Sequence, residues 1–541
     1  MQQSIASATA AGLRIGAAAA ARWRTAFWTM WALALVVKAV LAIALAPFGD
    51  EAWYWQESRA LAISYSDLPP ATAWLIRGGE TLLGHGTLGM RAPFLVLGAL
   101  LPLILVRTGR RLFGERCGWQ AGILALLLPL TGTLGMFALP DVPLTVCSAL
   151  ALDAFERATR SARLRDWSAL GLALAAAWLV HYRAGMLIGA GAVFLAATAR
   201  GRALTRSGGL WLAAAIGALG LVPIVVFNAR NDWVALGFQL VERNPWRFHA
   251  DGLVQPLEQA IVCTPLLYAG LLASAVACAR RSRAGAPWDL LAASALTPIV
   301  AYFVLGCFAD DTRLRLHWPL PGYLPLLIAL PPLAADWAGA EGAPRRRRVA
   351  VAAGAALALA GSVFVFLYFA MAAIPGGATV LARVKAFPEH WVGWNEVADA
   401  ARAELAQPRF AAALLVADNF MLAAELDFAL GGARTVYTLD HPLNAKHGRS
   451  PQLALWQRDE AGLQAAGPRD LLLVAEPTTR RERERAAWLA SLCTRVDALE
   501  PVGKLELYAG RKRYLLFRAR TVGAERPPAQ PDAACPASTF R

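Results

Sequence analysis

The sequence predicts a polytopic α-helical membrane protein of about 11 transmembrane helices, roughly 10 to 13, followed by a small α/β domain outside the bilayer. Three observations carry this. Hydrophobic residues make up 57% of the 541 and charged residues only 17%, a balance that excludes an ordinary soluble core. Apolar runs of spanning length alternate with short arginine clusters. Beyond about residue 374 the pattern changes to alternating β-rich and helical segments.

The net charge of +15, from 53 basic against 38 acidic residues, would suggest a nucleic-acid partner if it formed one patch. It is spread between the apolar runs instead and reads as membrane topology, so the expected partners are membrane lipids and not nucleic acid. The seven cysteines show neither the density of a disulfide scaffold nor a CxxC spacing.

The first apolar run, 25–47, follows Arg22 and Arg24 and is long enough, at about 1.5 Å per residue, to cross a core of roughly 30 Å. Ala44-Leu45-Ala46 looks like a cleavage site, but the run exceeds a usual signal h-region and Pro47 follows directly, so it is read as an uncleaved anchor. Further spans are expected at 90–106, 117–136, 140–156, 167–181, 184–199, 208–227, 257–279, 287–307, 316–334 and 349–373. The short run 167–181 could be tilted or re-entrant. Clusters such as Arg107/Arg110/Arg111/Arg116, Arg157/Arg160/Arg163/Arg165 and Arg345 to Arg348 fall between alternate spans. The positive-inside rule makes those loops and the N-terminus cytoplasmic and puts the chain after 374 on the outer side. The expected organisation is a tail at 1–24, a membrane domain at 25–374 with outer loops 48–89 and 228–256, an α/β domain at 375–523, and a Pro-rich tail at 524–541. Lys38, deep in the first span, is either functional or snorkels outward.

In the outer α/β domain, strands are expected at 411–417, 435–439, 471–475 and 513–517, and helices at 420–430 and 480–492. Cys493 and Cys535 both fall beyond 374, where an oxidising compartment would permit a disulfide; two free thiols are the alternative.

Chemistry is expected in the outer loops. Directly after the first span comes Asp50-Glu51-Ala52-Trp53-Tyr54-Trp55. This is either a solvated span end with interfacial tryptophans or a partly desolvated carboxylate able to act as a general base. Amphipathic stretches at 50–59 and 71–83, broken by Leu68-Pro69-Pro70, suggest interfacial helices lining a cleft that admits a lipid from the side. Asp50 with Glu51 could also hold a divalent cation, Mg²⁺ or Mn²⁺, although two adjacent carboxylates are a weak signal and no metal cluster is otherwise visible. Asp67 faces the cleft or caps its turn. Asp141, at the start of an apolar span, is an N-cap or a cleft residue.

Several segments together resemble a known family. Asp50-Glu51-Ala52-Trp53-Tyr54-Trp55, Ser66-Asp67-Leu68-Pro69-Pro70, Met90-Arg91-Ala92-Pro93, Leu139-Pro140-Asp141-Val142-Pro143-Leu144, Asn228-Ala229-Arg230-Asn231-Asp232-Trp233 with Phe238-Gln239, and His317-Trp318-Pro319-Leu320-Pro321-Gly322-Tyr323 are similar, in order and spacing, to motifs of the GT-C membrane glycosyltransferases of the protein O-mannosyltransferase and lipid A aminoarabinose-transferase type. Gly393-Trp394-Asn395-Glu396, Asp418-Asn419 and Glu425-Leu426 extend the likeness, which covers about 25 to 460.

The resemblance implies a polyprenyl-phosphate-sugar donor, an inverting transfer on the periplasmic face of a bacterial inner membrane, and a glycolipid acceptor such as lipid A or lipopolysaccharide core. Protein O-glycosylation is the alternative within the class, and a polytopic transporter is the alternative outside it. Asp50 takes the leading catalytic role, with Glu51 beside it. Arg91, Arg183, Arg230, Arg243, Arg313, Arg315 and His317, with His181, are the candidates to hold the donor phosphate. Trp53, Tyr54, Asp67, Asp141 and Trp318 would line the cleft. Leu68 departs from the pattern, because the family often carries His or Lys there.

Overall fold

The computed structural model describes residues 2–243, 246–308 and 316–521, with side chains from Ala20 onward. Every apolar run expected to span the membrane falls on helix. By length and composition five described helices can cross a bilayer, Ala20–Ala44, Thr87–Leu127, Gly208–Arg230, Trp288–Gly306 and Arg345–Ala373. A sixth is the pair Ala250–Val262 and Pro265–Ala284, bent by 114°.

This is fewer than the eleven expected from apolar runs, for identifiable reasons. The 41-residue helix Thr87–Leu127 holds two of the expected runs and folds back at Gly114, whose φ of 83° is cheap only for glycine. The two arms approach so closely that a Cβ on Gly109 would lie 3.0 Å from Gly118 Cα. Asp141–Ser161 carries Asp153, Glu156, Arg157 and Arg160, which lower its hydropathy. Leu164–Val180 and Gly185–Ala197 are short, and Leu320–Gly339 is interrupted by Pro325, Pro331 and Pro332. Leu33, Val36 and Val40 on the first span and Val363, Phe364 and Leu367 on the last remain exposed, as lipid-facing positions should. Lys38 is buried and donates to the Leu134 carbonyl at 3.0 Å, so it does not snorkel outward.

The C-terminal domain is a five-stranded sheet of β1 (Leu414–Ala417), β2 (Val436–Thr438), β3 (Asp470–Ala475), β4 (Val496–Leu507) and β5 (Lys512–Thr521), in the order β2-β1-β3-β5-β4. The first three run parallel, and β5 pairs antiparallel with β3, Leu473 opposite Phe517. Alternate side chains face opposite layers. Leu415, Ala417, Leu472 and Val474 pack under Trp394–Leu405 and Phe420–Ala429, whereas Val416, Leu471 and Leu473 pack against Glu482–Arg495. The four expected strands and two expected helices are present. β4 was not expected, because bulges near Asp497/Glu500 and Pro501/Gly503 break its alternation. Cys535 lies outside the described residues, and with it the choice between a disulfide to Cys493 and two free thiols.

This domain sits directly on the first outer loop. Gly49–Arg59 buries Trp53 against Phe420 and Trp456, with ring centroids 5.6 and 5.3 Å apart, and Trp55 against Phe428 at 5.3 Å. Gln56 Nε2 donates to Asp427 Oδ2 at 2.8 Å. The aromatic residues read as a membrane-interface belt are therefore covered by protein.

Candidate active site

Pro47 ends the first span and the chain re-enters helix at Gly49. Consecutive helical positions point about 100° apart, so Asp50 and Glu51 must face different surroundings. Glu51 turns inward. Its Oε2 accepts the Phe48 amide at 2.9 Å and Arg91 Nη2 at 2.6 Å; its Oε1 accepts Arg91 Nε at 2.8 Å and the Ala138 amide at 2.6 Å. Arg91 Nη1 donates to the Ala42 and Leu45 carbonyls at 2.6 and 2.9 Å, and Nη2 also to Ala46 O at 2.9 Å.

All five N–H groups of this fully buried guanidinium are thus taken. Arg91 therefore has no donor left for a phosphate, and Glu51 none of its carboxylate free for catalysis. Together they staple the end of the first span to the start of the hairpin. The same geometry removes Glu51 as a partner to Asp50 in holding a cation, so the pair does not fit a metal.

Asp50 turns away from this staple and is part-buried, its side chain 25% exposed. It meets Arg449 Nη2 at 3.1 Å. Arg449 also ion-pairs with buried Asp67, donates to the Tyr54 hydroxyl at 3.4 Å, and lies over the rings of Trp53, Tyr54 and Phe420 at 5.0, 5.2 and 5.5 Å. Asp67 thus turns to Arg449 and does not cap its own turn. Arg449 comes from the C-terminal domain, 399 residues from Asp50 along the chain. Gly448 brings it there. Its φ is 72°, a Cβ on it would strike the Phe238 ring at 2.6 Å, and its carbonyl accepts Ser66 Oγ at 2.9 Å. Sequence reasoning missed Arg449, since Gly448-Arg449-Ser450-Pro451 looks like any polar turn.

A second cluster forms where three spans end. Arg183 Nη2 lies 2.5 Å from Asp141 Oδ1, Arg183 Nε donates to His181 Nε2 at 3.2 Å, and His317 Nε2 is 3.5 Å from the same Asp141 oxygen. Asp141 is the first residue of its helix but makes no side-chain cap. Asn228 builds the approach from the other side. Buried, it accepts the Leu236 amide at 2.9 Å, and Asp232 and Trp233 take left-handed turns at φ 50° and 59°. The chain then forms a π turn at Phe238–Glu242, a form common at functional sites.

That turn joins the two clusters. Gln239 Nε2 donates to Asp67 O at 2.7 Å, its Oε1 accepts Arg243 Nη1 at 3.0 Å, and Arg243 lies 5.7 Å over Trp318. Tyr54, beside Arg449, is also within electrostatic reach of Arg183. Asp50, Tyr54, Asp67, Asp141, Arg183, Arg243, His317 and Trp318 are therefore brought together, with Arg449 and His181. Trp53 lies behind them under Arg449. Arg230 is exposed at the end of its helix and, among the described residues, joins none of these groups. Arg313 and Arg315 lie outside the described residues.

Further along the helices that carry this cluster is an apolar cavity of about 220 Å³. Ser148, Phe155, Leu174, Leu187, Pro298 and Pro321 are among its lining residues. Ser148 is two turns beyond Asp141, and Leu187 and Pro321 each follow a polar-cluster residue by four positions. The apolar cavity thus lies on the same helices, one to two turns from the polar cluster.

Glu57 is buried behind Trp53, whose Nε1 donates to it at 2.9 Å. Burial pushes its carboxyl up to about 8, against the pull of Arg449. The raised value means that Glu57 contributes stability fully present below an unfolded pKa of about 4.5 and lost as pH rises through about 8. Glu57→Gln keeps the acceptor for Trp53 and removes the charge. Thermal unfolding followed between about pH 5 and pH 9 should fall less steeply in this variant than in the wild type. Parallel profiles would show that Glu57 does not ionise in that range.

Residues 67–227 match the family of dolichyl-phosphate-mannose-protein mannosyltransferases. The chain is 28% identical over 188 residues to the lipid A galacturonosyltransferase RgtD of Rhizobium johnstonii, a match spanning 34% of this chain and 39% of that one. Among solved structures it is similar to ArnT from Cupriavidus metallidurans in the apo state, with 17% identity, a TM-score of 0.62, and coverage of 92% of this chain and 98% of that one. The same enzyme bound to undecaprenyl phosphate aligns at 18% identity and TM-score 0.58, covering 94% and 99%. The chain therefore has the GT-C fold, as the sequence resemblance implied.

Proposed function

We propose that this protein is a glycosyltransferase that moves a sugar from a polyprenyl-phosphate carrier onto an envelope glycolipid, lipid A or lipopolysaccharide core, with inversion at the anomeric carbon. The observation that carries this reading is the gathering of Asp141, His181, Arg183 and His317 at one end of helices that further along line an apolar cavity, with part-buried Asp50 held nearby by Arg449. A charged headgroup with the near end of an apolar tail suits such an arrangement. The partial match to a lipid A galacturonosyltransferase and the fold shared with an enzyme captured with undecaprenyl phosphate support the same class of donor and acceptor.

In this mechanism the near end of the isoprenoid lies in the apolar cavity and its phosphate meets Arg183, Arg243 and His317. These groups stabilise the charge that grows on the phosphate oxygen as the glycosidic bond breaks. Asp50 orients and deprotonates the acceptor hydroxyl, which attacks from the opposite face of the sugar. Arg449 holds Asp50 and Asp67 in place from above. The arginine distribution supports a periplasmic position for this site and the C-terminal domain.

Mass spectrometry of lipid A, core oligosaccharide and total envelope glycolipids tests the reading in cells carrying the intact gene, a deletion, or Asp50→Ala. A sugar-sized mass missing from both mutants is expected. Three matching profiles would remove the glycolipid acceptor and direct the search to secreted glycoproteins.

A further inference from the structure

A charged cavity lies toward the opposite ends of the helices that carry the candidate site. Arg91 and Asp141 mark the active-site ends of their helices; Arg111 and Glu156 lie 20 and 15 residues further on, about 30 and 22 Å along the axis. There the helix ends enclose about 390 Å³, lined by Arg111, Arg157, Arg160, Arg163 and Arg165 against Glu156 and Asp166. This is within the size range of small-ligand sites.

The acidic groups are already committed. Buried Asp153 takes Arg111 Nη1 and Thr108 Oγ1 at 2.8 Å, Arg157 Nε at 3.1 Å, and Arg107. Buried Glu156 takes Arg111 Nε at 2.9 Å and ion-pairs with Arg160. Asp166 pairs with Arg157 and accepts Ser161 Oγ at 2.6 Å. These ion pairs suffice to hold the helices together. They leave Arg163 and Arg165 exposed on the rim, with no carboxylate partner among the described residues. Ala162, at φ 53°, makes the sharp turn that presents both to the cavity.

We propose that this cavity binds the phosphate headgroup of an anionic phospholipid in the leaflet opposite the active site. The cavity lies where helices leave the bilayer, and its surplus of positive charge exceeds one phosphodiester, so a two-phosphate headgroup of the cardiolipin type suits it better than phosphatidylglycerol. Neither the donor nor the acceptor of the proposed transfer is involved, so the inference stands apart from that reading.

The test is native mass spectrometry of lipid retained by the full-length protein in detergent, titrated with cardiolipin, phosphatidylglycerol or phosphatidylcholine of matched acyl chains, with and without millimolar inorganic phosphate. Arg163→Ala/Arg165→Ala removes the rim. Arg346→Ala/Arg348→Ala removes the same charge from exposed positions at the start of Arg345–Ala373, on the same membrane face. Wild type should retain cardiolipin in preference to phosphatidylcholine. The rim variant should lose about thirtyfold in affinity, from the ordinary contribution of two basic residues near an anionic headgroup, and the control should change little. Equal losses in both variants would reduce the effect to general surface charge and overturn the site. An unaltered rim variant would overturn it too, and full displacement by inorganic phosphate would reassign it to a soluble anion.

Discussion

Arg91→Ala is expected to cost about 3–5 kcal/mol of stability, because it leaves the Glu51 carboxylate buried without its cation. Three backbone carbonyls at the end of the first span, Ala42, Leu45 and Ala46, lose their donor in the same change. Glu51→Ala should be comparably severe, since it strands the guanidinium. Arg91→Lys should rescue little, because an ammonium offers three donors where five are used and cannot span both carboxylate oxygens. Thermal unfolding of the detergent-purified variants measures this. A stably folded Arg91→Ala protein with weakened donor binding would return Arg91 to the phosphate site that the sequence motif suggested.

Arg449→Ala should abolish most turnover although the residue lies in the C-terminal domain. Without it Asp50 loses its 3.1 Å partner, and buried Asp67 becomes an unpaired charge costing several kcal/mol. The two effects can be separated. Adding Asp67→Asn removes the stranded charge, so the double variant should regain most of the lost stability while activity stays at least tenfold below wild type, as expected of a misplaced base. If activity returns together with stability, Arg449 serves only to hold the fold. Removing residues 375–541 should be at least as damaging, because it takes away Arg449 and uncovers Trp53 and Trp55.

Much of this architecture is written locally. Apolar run length specifies helices within the membrane, and short unbroken apolar runs mark β1, β3 and β5, whose two faces both pack against helices. Asp50, Asp141, Arg183 and His317 could be singled out because each sits at or near an apolar boundary, where a charged group is conspicuous, and Asp67 and Arg243 because they lie in the long loops that resemble the family's motifs. Such signals report position along the chain and not the direction in which a side chain points. That is why Asp50 and Glu51 looked like a pair. One helical step of about 100° sends the first to Arg449 and the second to Arg91. It is also why the tryptophans of the first loop looked like lipid anchors: burial under protein and burial at a membrane surface favour the same residues.

The sequence by itself determined the membrane-spanning class, the C-terminal α/β domain and most of the polar residues that gather near Asp50, because hydropathy and apolar run length are short-range properties. Only the tertiary structure decided which charges meet. The Arg91–Glu51 staple closes across 40 residues and the Arg449–Asp50 contact across 399. Such pairings depend on the packing of whole elements, and a guanidinium's five donors are indifferent to whether phosphate, carboxylate or backbone carbonyl accepts them until the fold brings one within about 3 Å.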